Sequence, residues 1–152
     1  MSDIIVYQGE PGAFSHLACQ VGYPNLTPIP CISFASAFDE VKSGTAKLAM
    51  IPVENTVAGR VSDIYHLLPE GGLYIIGEQY LPVHHQLLGI PGATLETIKT
   101  ARSHPMALGQ VRKNLAKMKI LPSADIDTAG AARAVAQLKD KSISAVASSL
   151  AA

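Results

Sequence analysis

Four stretches of this chain carry small, hydroxylated and glycine residues where a predicted strand ends and a helix starts. They are Gly9-Glu10-Pro11-Gly12-Ala13-Phe14-Ser15-His16, Ile51-Pro52-Val53-Glu54-Asn55-Thr56, Ser103-His104-Pro105-Met106-Ala107-Leu108 and Asp127-Thr128-Ala129-Gly130-Ala131-Ala132. Such residues expose backbone N–H groups and short donors. At a helix start the unpaired N–H groups and the helix dipole favour anions. The chemistry these stretches suit is the grip of a small molecule bearing carboxylates. Taken singly, each stretch also reads as ordinary helix capping or a tight turn.

Other candidates for chemistry are weaker. His84 and His85 are adjacent, so on a strand they point to opposite faces and cannot share a metal. Gly9 and Gly12 lack the Lys-Ser/Thr of a phosphate loop and the third glycine of a dinucleotide fingerprint. Lys113, Lys117 and Lys119 read as a solvated helix end. Arg60 and Arg102 suit carboxylate clamping by chemistry alone.

The elements that must position these stretches alternate between strand and helix, which predicts an α/β fold with mostly parallel strands. Ile4–Tyr7 is the first predicted strand, followed by a helix facing inward through Phe14, Leu17, Ala18 and Val21. A short strand is expected at Leu26–Ile29. Ser33 then caps a helix with Phe34, Ala37, Phe38 and Val41 inward and Gly44 as its stop. Leu48–Ile51, nearly all apolar, reads as a strand covered on both faces. Val61, Ile64, Tyr65 and Leu68 mark a helix ended by Pro69 and Gly71-Gly72. From Leu73 to Ile90 the chain reads as largely extended, which suggests a crossing between lobes, with the boundary near Glu78 to Pro82.

The pattern then repeats. A helical turn at Thr94–Ile98 and a strand at Thr100–Ser103 precede a helix opened by Pro105, with Leu108, Val111, Leu115 and Met118 on one face. Asp127 or Thr128 caps a further helix with Ala131, Ala132, Val135 and Leu138 inward. Ile143–Ala147 is the last predicted strand. Ser148–Ala152 reads as the first turn of a helix, so the domain is expected to be cut short.

Composition narrows the function classes. The 152 residues are 48% hydrophobic and 16% charged, and 12 Lys+Arg balance 12 Asp+Glu. That is enough for one domain or two small lobes. Without a basic stripe, nucleic acid is not an expected partner. The apolar runs are too short to span a bilayer, and the opening Met1-Ser2-Asp3 does not read as a secretory signal. The expectation is a cytoplasmic protein with no membrane partner, whose Cys19 and Cys31 are thiols rather than a disulfide scaffold.

In order and spacing, the four stretches closely resemble the signature segments of prephenate dehydratases: Gly-Thr-Phe-Ser-His, Ile-Pro-Val-Glu-Asn-Ser, His-Pro-Gln-Ala-Leu and Ser-Thr-Ala-x-Ala-Ala. Ala145-Val146-Ala147-Ser148 is similar to the family's Ala-Ile-Ala-Ser. The resemblance spans the chain. Departures are mild. Glu10-Pro11 reverses the commoner order, Ala13 and Thr56 replace Thr and Ser, Met106 replaces Gln, and Asp127 replaces Ser.

The resemblance implies a two-lobed, periplasmic-binding-protein-like (type II) fold with a cleft between lobes 1–80 and 81–152, incomplete at its C-terminus. It implies the decarboxylative dehydration of prephenate to phenylpyruvate, in phenylalanine biosynthesis, with no metal or organic cofactor. Arogenate dehydration on the amino-acid analogue, or carboxylate binding without reaction, are the alternative readings. Ser15, Asn55 and Thr56 are then the candidate substrate-binding residues, and Glu54, His104 and Thr128 the candidate catalytic ones. For Glu54 a role orienting a neighbour is favoured over that of acid. For His104 a capping or packing role is favoured over a catalytic one, and Thr128 either binds substrate or caps its helix. Members also carry a downstream Asn-x-x-Thr-Arg-Phe stretch, whose Thr is most often assigned to catalysis, and commonly a phenylalanine-binding ACT domain. Homo-oligomerisation is expected of the complete enzyme.

Overall fold

The computed structural model describes residues 3–152. The chain divides into two compact units, Met1–Pro82 and Val83–Ala152. Both are built on the same plan.

In the first unit, β1 (Ile4–Gln8), α1 (Phe14–Gly22), β2 (Thr27–Cys31), α2 (Phe34–Lys42) and β3 (Leu48–Met50) form a parallel sheet of order β2-β1-β3. The central strand β1 is buried on both faces. Ile5 and Tyr7 pack with Cys19, Tyr23 and Leu26 on one side, and Val6 packs with Ala37, Ala46 and Val41 on the other. That alternation places α1 on one face and α2 on the other. The most buried strand is therefore β1. Leu48–Met50, predicted to be covered on both faces, is only half-buried because it pairs on one side alone.

β2 is an edge strand with the sequence TPIPC. Thr27, Ile29 and Cys31 face β1, as the Thr27 N–H to Asp3 C=O bond (2.7 Å) shows. Pro28 and Pro30 alternate with them, so their missing N–H groups fall on the free edge and blunt it against further pairing.

The capping reading at α2 holds. Ser33 Oγ accepts from the Ser36 N–H and Ser36 Oγ accepts from the Ser33 N–H, a reciprocal capping box, and Gly44 turns the chain at φ 79°. The face of α1 differs from expectation. Ala18 and Cys19 are buried and Val21 is 57% exposed, because the helix turns one position further than an axis through Phe14 and Leu17 implies. α3 (Ser62–Glu70) buries Ile64 but leaves Tyr65 exposed, and it runs through Pro69 rather than ending there. So near its end, that proline costs the helix little more than one hydrogen bond.

In the second unit, β7 (Thr100–Ser103), α4 (Pro105–Lys117), β8 (Leu121–Ala124), α5 (Thr128–Leu138) and β9 (Ile143–Ala147) repeat the order, with β7 central. β6 (Gln86–Gly89) adds antiparallel to β9, giving β6-β9-β7-β8. Val146 packs toward Leu108, Leu115 and Ile120. Ala145 and Ala147 pack against Ala131, Ala132 and Val135. Leu138, expected inward, is 51% exposed in the last residue of α5.

The sequence reading missed β8, whose LPSA lacks strand-forming residues; its Pro122 sits on a free edge as Pro28 does. Of the long extended passage only Gln86–Gly89 is a strand. Tyr74, Ile75, Ile76 and Tyr80 are 91%, 75%, 71% and 80% exposed. His84 and His85 precede β6 rather than lying in a strand, and a nitrogen of His85 meets Gln110 Oε1 at 3.0 Å.

Both cysteines are free thiols. Burial against β1 pushes Cys19 up to about 12. Cys31, half-buried, is raised by burial and by the Glu40 charge. Since the thiolate is the nucleophile, Cys19 is expected to stay unlabelled by iodoacetamide at pH 8 in the folded protein and to react fully in denaturant. Mass spectrometry of the two peptides checks this. Equal native labelling of Cys19 and a denatured control would contradict the packing.

Candidate active site

In each unit the chain leaves the central strand toward one edge strand and crosses back to the other side. From β1 it passes through α1 to β2, then through α2 to β3; β7, α4, β8, α5 and β9 repeat the path. The strand order therefore reverses between β1 and β3, and again between β7 and β9. In open α/β sheets ligands bind outside the carboxyl ends of the strands at such switch points. Gly9–Ser15 follows β1 and Ile51–Thr56 follows β3. His104 follows β7, which ends at Ser103, and Ser148 follows β9. Thr128 follows β8, one strand away from the second switch point.

The four stretches are not equivalent there. After β1, Gly9 (φ 121°) and Gly12 (φ 92°) take conformations that disfavour a side chain, so the loop can double back onto the start of α1. Ala13 is the N-cap of α1 and supplies no side-chain hydrogen bond. Ser15 is the second helical residue, half-buried, with its hydroxyl in the first turn. This is the helix start best suited to a carboxylate.

The second stretch is a correction. Ile51–Thr56 does not open a helix. It enters a two-stranded antiparallel hairpin, β4 (Glu54–Asn55) with β5 (Gly59–Arg60), and α3 begins only at Ser62. Asn55 Oδ1 accepts from the Val57 and Ala58 N–H groups, both at 2.9 Å. The side chain is thus fixed by its own turn, which leaves the Nδ2 amide as the group with donors to offer. Thr56 is exposed in that turn. Glu54 is exposed opposite Arg60, whose guanidinium lies 5.5 Å over the Tyr65 ring.

The other two helix starts are already answered by side chains. His104 is the N-cap of α4, and its Nδ1 accepts from the Met106 N–H at 3.3 Å. That contact assigns the proton to Nε2 in the neutral ring. Asp127, not Thr128, caps α5: Asp127 Oδ1 accepts from the Gly130 N–H at 2.6 Å. A carboxylate already sits at this terminus, so a second would be repelled. Thr128 is left as a half-buried hydroxyl in the first helical turn. Arg102 is no open clamp, since it pairs with Asp125 at 2.8 Å.

Ser15, Asn55, Thr56 and Glu54 belong to the first unit, His104 and Thr128 to the second. Ser103 and Ser148 at the second switch point fall within the signature stretches but were not candidate site residues, because Ser103 reads as a strand end and Ser148 as a helix start. Both are fully buried. Ser103 Oγ donates to the Val146 carbonyl, tying β7 to β9, and Ser148 Oγ accepts from the Leu150 N–H. Among the described residues no cluster of three or more His, Cys, Asp or Glu gathers to hold a metal, and no helix is long and apolar enough to cross a membrane.

The family model described as prephenate dehydratase matches residues 5–152. The chain belongs to the prephenate dehydratase family. A bifunctional N-acyl-homoserine lactone acylase/prephenate dehydratase of Komagataeibacter europaeus is 48% identical over 149 residues, covering 98% of this chain and 53% of that protein. Arogenate dehydratase 1 of Petunia hybrida is 42% identical over 150 residues, covering 97% and 35%. Among solved structures, a prephenate dehydratase from Arthrobacter aurescens in complex with L-Phe superposes with a TM-score of 0.89 at 28% identity, covering 98% of this chain and 51% of that one. The chain thus spans about half the length, or less, of the relatives it matches. The α/β architecture with mixed sheets and five helices is that of prephenate dehydratase structures.

Proposed function

We propose that the protein containing this chain converts prephenate to phenylpyruvate. The observation that carries the reading is the family match over residues 5–152. The uncapped helix start at the β1–β3 switch point supports it, as the place best suited to a carboxylate. In the reaction the ring C1–carboxylate bond breaks and CO₂ leaves. Its electron pair enters the ring, and the C4–oxygen bond breaks to expel hydroxide, which takes one proton to leave as water. Aromatisation drives the step. The protein's tasks are to hold two carboxylates and to deliver that proton.

Ser15 and the first turn of α1 bind one carboxylate. Asn55 donates from Nδ2, and Thr56 adds a hydroxyl. Thr128 and the Nε2–H of His104 are donors of the second unit. Glu54 orients a neighbouring donor. The two units serve as the lobes, 1–80 and 81–152, of a periplasmic-binding-protein-like fold. The resemblance implies that the proton comes from the family's Thr-Arg-Phe stretch, with Glu54, His104 and Thr128 as the acids to test within Met1–Ala152. General acids contribute about 10²- to 10⁴-fold, so a loss of that order in a variant of one of these three would place the acid there. The protein is cytoplasmic and self-associates in its complete form; the exposed Tyr74, Ile75, Ile76 and Tyr80 run supports the latter.

Two further substrates are suggested by the relatives' names. Arogenate differs in carrying an amino group where prephenate has a keto group, and parallel turnover assays separate the two. The 48% identical relative is also named an acyl-homoserine lactone acylase. Fatty-acid release from an N-acyl-homoserine lactone, without loss of prephenate turnover, would add that activity to this one.

A further inference from the structure

The chain is neutral as a whole, with 12 Lys+Arg and 12 Asp+Glu, but its two units are not. Met1–Pro82 holds three cations against eight carboxylates, a net of −5. Val83–Ala152 holds nine against four, a net of +5. Within the second unit the fold collects five of the cations at one end. Lys99, Lys119 and Lys141 stand one or two residues before β7, β8 and β9. These strands start level with one another, since Thr100 pairs with both Leu121 and Ile143 and the Leu121 N–H donates to the Lys99 C=O. Neighbouring strands run about 4.8 Å apart, so the three lysines form a row along the amino end of the sheet. Lys117 ends α4 and Lys139 follows α5, the helices on the two faces, so this pair flanks the row. His104 and Thr128 lie at the opposite, carboxyl end.

All five lysines are exposed, and among the described residues none of them is ion-paired. The carboxylates nearest in the chain are Glu96 and Asp140. Asp140 Oδ1 accepts from the Ser142 N–H and hydroxyl, both at 2.8 Å, and Lys99 Nζ donates to the Glu96 backbone carbonyl at 2.8 Å. Two of the lysines sit in strained backbone. Lys119 (φ 57°) and Lys139 (φ 54°) are the non-glycine residues with positive φ among the described residues. Each closes its helix. After α4 the Ile120 N–H reaches the Leu115 C=O and the Lys119 N–H the Ala116 C=O; after α5 the Lys139 N–H reaches the Val135 C=O. That position ordinarily takes glycine, as Gly44 does after α2 at φ 79°. A helix C-terminus favours any cation, but a lysine earlier in the last turn would serve it without strain. Lys99 and Lys141 end no helix at all.

We propose that this five-lysine face is a docking surface for a second copy of the chain, and that it engages the acidic groove between α2 and α3 in that copy's first unit. Asp39 and Glu70 line the groove with Lys42, over a floor that includes Phe38, Leu67 and Gly71. A lysine can lay its stem on such a floor and bring its ammonium to the carboxylates. The charges favour a second copy as the partner. The units carry equal and opposite charge, so two copies neutralise one another, whereas a polyanion drawn to one unit is repelled by the other. This contact rests on the self-association proposed above and gives it a surface.

Sedimentation velocity on the whole protein tests it. Parent association should weaken about tenfold or more between ~50 mM and ~500 mM salt, because charges across a contact are screened. Lys117→Glu with Lys141→Glu should weaken it by a similar factor at low salt, as should Asp39→Lys with Glu70→Lys. Mixing these two variants sets reversed face against reversed groove, so association should return. Lys119→Gly with Lys139→Gly relieves both strained residues while removing two charges, so it should melt higher than the parent and associate more weakly. Melting curves show that each variant is folded. A parent that is monomeric at both salts would overturn the proposal together with the self-association above. Association that ignores salt and all three variants, or a mixture that stays apart, would overturn the lysine face and leave the Tyr74–Tyr80 run as the contact. Binding to heparin that the lysine variants lose, without self-association, would overturn the second copy and assign the face to a polyanion. Prephenate turnover is a separate readout, since no substituted residue belongs to the candidate site, and its absence would count against the dehydratase reading alone.

Discussion

Asn55→Asp should leave the protein as stable as the parent and lower its kcat/KM for prephenate by about tenfold or more, the loss of one hydrogen bond to a charged group. The two halves of this expectation come from the two ends of one side chain. Oδ1 accepts from the Val57 and Ala58 N–H groups and closes the β4–β5 turn, a task aspartate performs equally well. Nδ2 is the donor assigned to the substrate, and aspartate has none; its charge also opposes a carboxylate. Asn55→Ala removes both ends, so it should lose activity and also destabilise the hairpin by about 1 kcal/mol. Thermal melts and steady-state kinetics on the two variants separate the roles. Asn55→Asp with parental kinetics would leave Asn55 a turn residue only.

Gly71→Ala should destabilise the first unit by about 3 kcal/mol, the upper end of what overpacking costs. The backbone there is helical, at φ −67°, so strain is not the cause. The obstacle is space. A Cβ on Gly71 would stand 2.6 Å from Phe38 Cε1 and 2.8 Å from the Leu67 carbonyl oxygen. Phe38 is buried and cannot swing away, and the carbonyl is backbone. Glycine is what lets the end of α3 lie against the ring on α2. Phe38→Leu in the Gly71→Ala background should recover part of the loss, a coupling that unfolding curves of the four proteins measure directly. Additive effects would show that Phe38 is not the obstacle.

The residues themselves say why parts of this fold were legible and others not. The capping box at Ser33, the proline opening α4 and the apolar strand Ile143–Ala147 are local signals, and tertiary packing agrees with them. Strand β8 was invisible because its LPSA needs no β-forming residues when a single strong neighbour, β7, supplies every bond it makes. Leu48–Met50 misled because an apolar run shows that burial is wanted, not how many strands will flank it. The phases of α1 and α5 slipped at Val21 and Leu138 because alanine and cysteine fill the close contacts and larger side chains are left outside.

At the site, residue identities were readable but their contexts were not. Asn55 looked like a helix start and is a hairpin turn, since its side chain makes the turn that a helix would otherwise follow. Asp127 and Thr128 competed for one cap, and only geometry shows the aspartate taking it. That outcome changes the chemistry, because a terminus holding its own carboxylate is closed to the substrate's. Of the helix starts in the signature stretches, the one without a side-chain cap, at Ala13, departs from the family's threonine and was the least conspicuous in the sequence.

The central claim is tested most directly by incubating the protein that contains this chain with prephenate near neutral pH and measuring phenylpyruvate and CO₂ together. The account predicts that both appear in equal amounts, far above the spontaneous rate, and that replacing Ser15 or Asn55 lowers the yield of both alike. A folded protein that binds prephenate yet releases neither product, or releases them at the spontaneous rate, would contradict it and leave carboxylate binding without reaction.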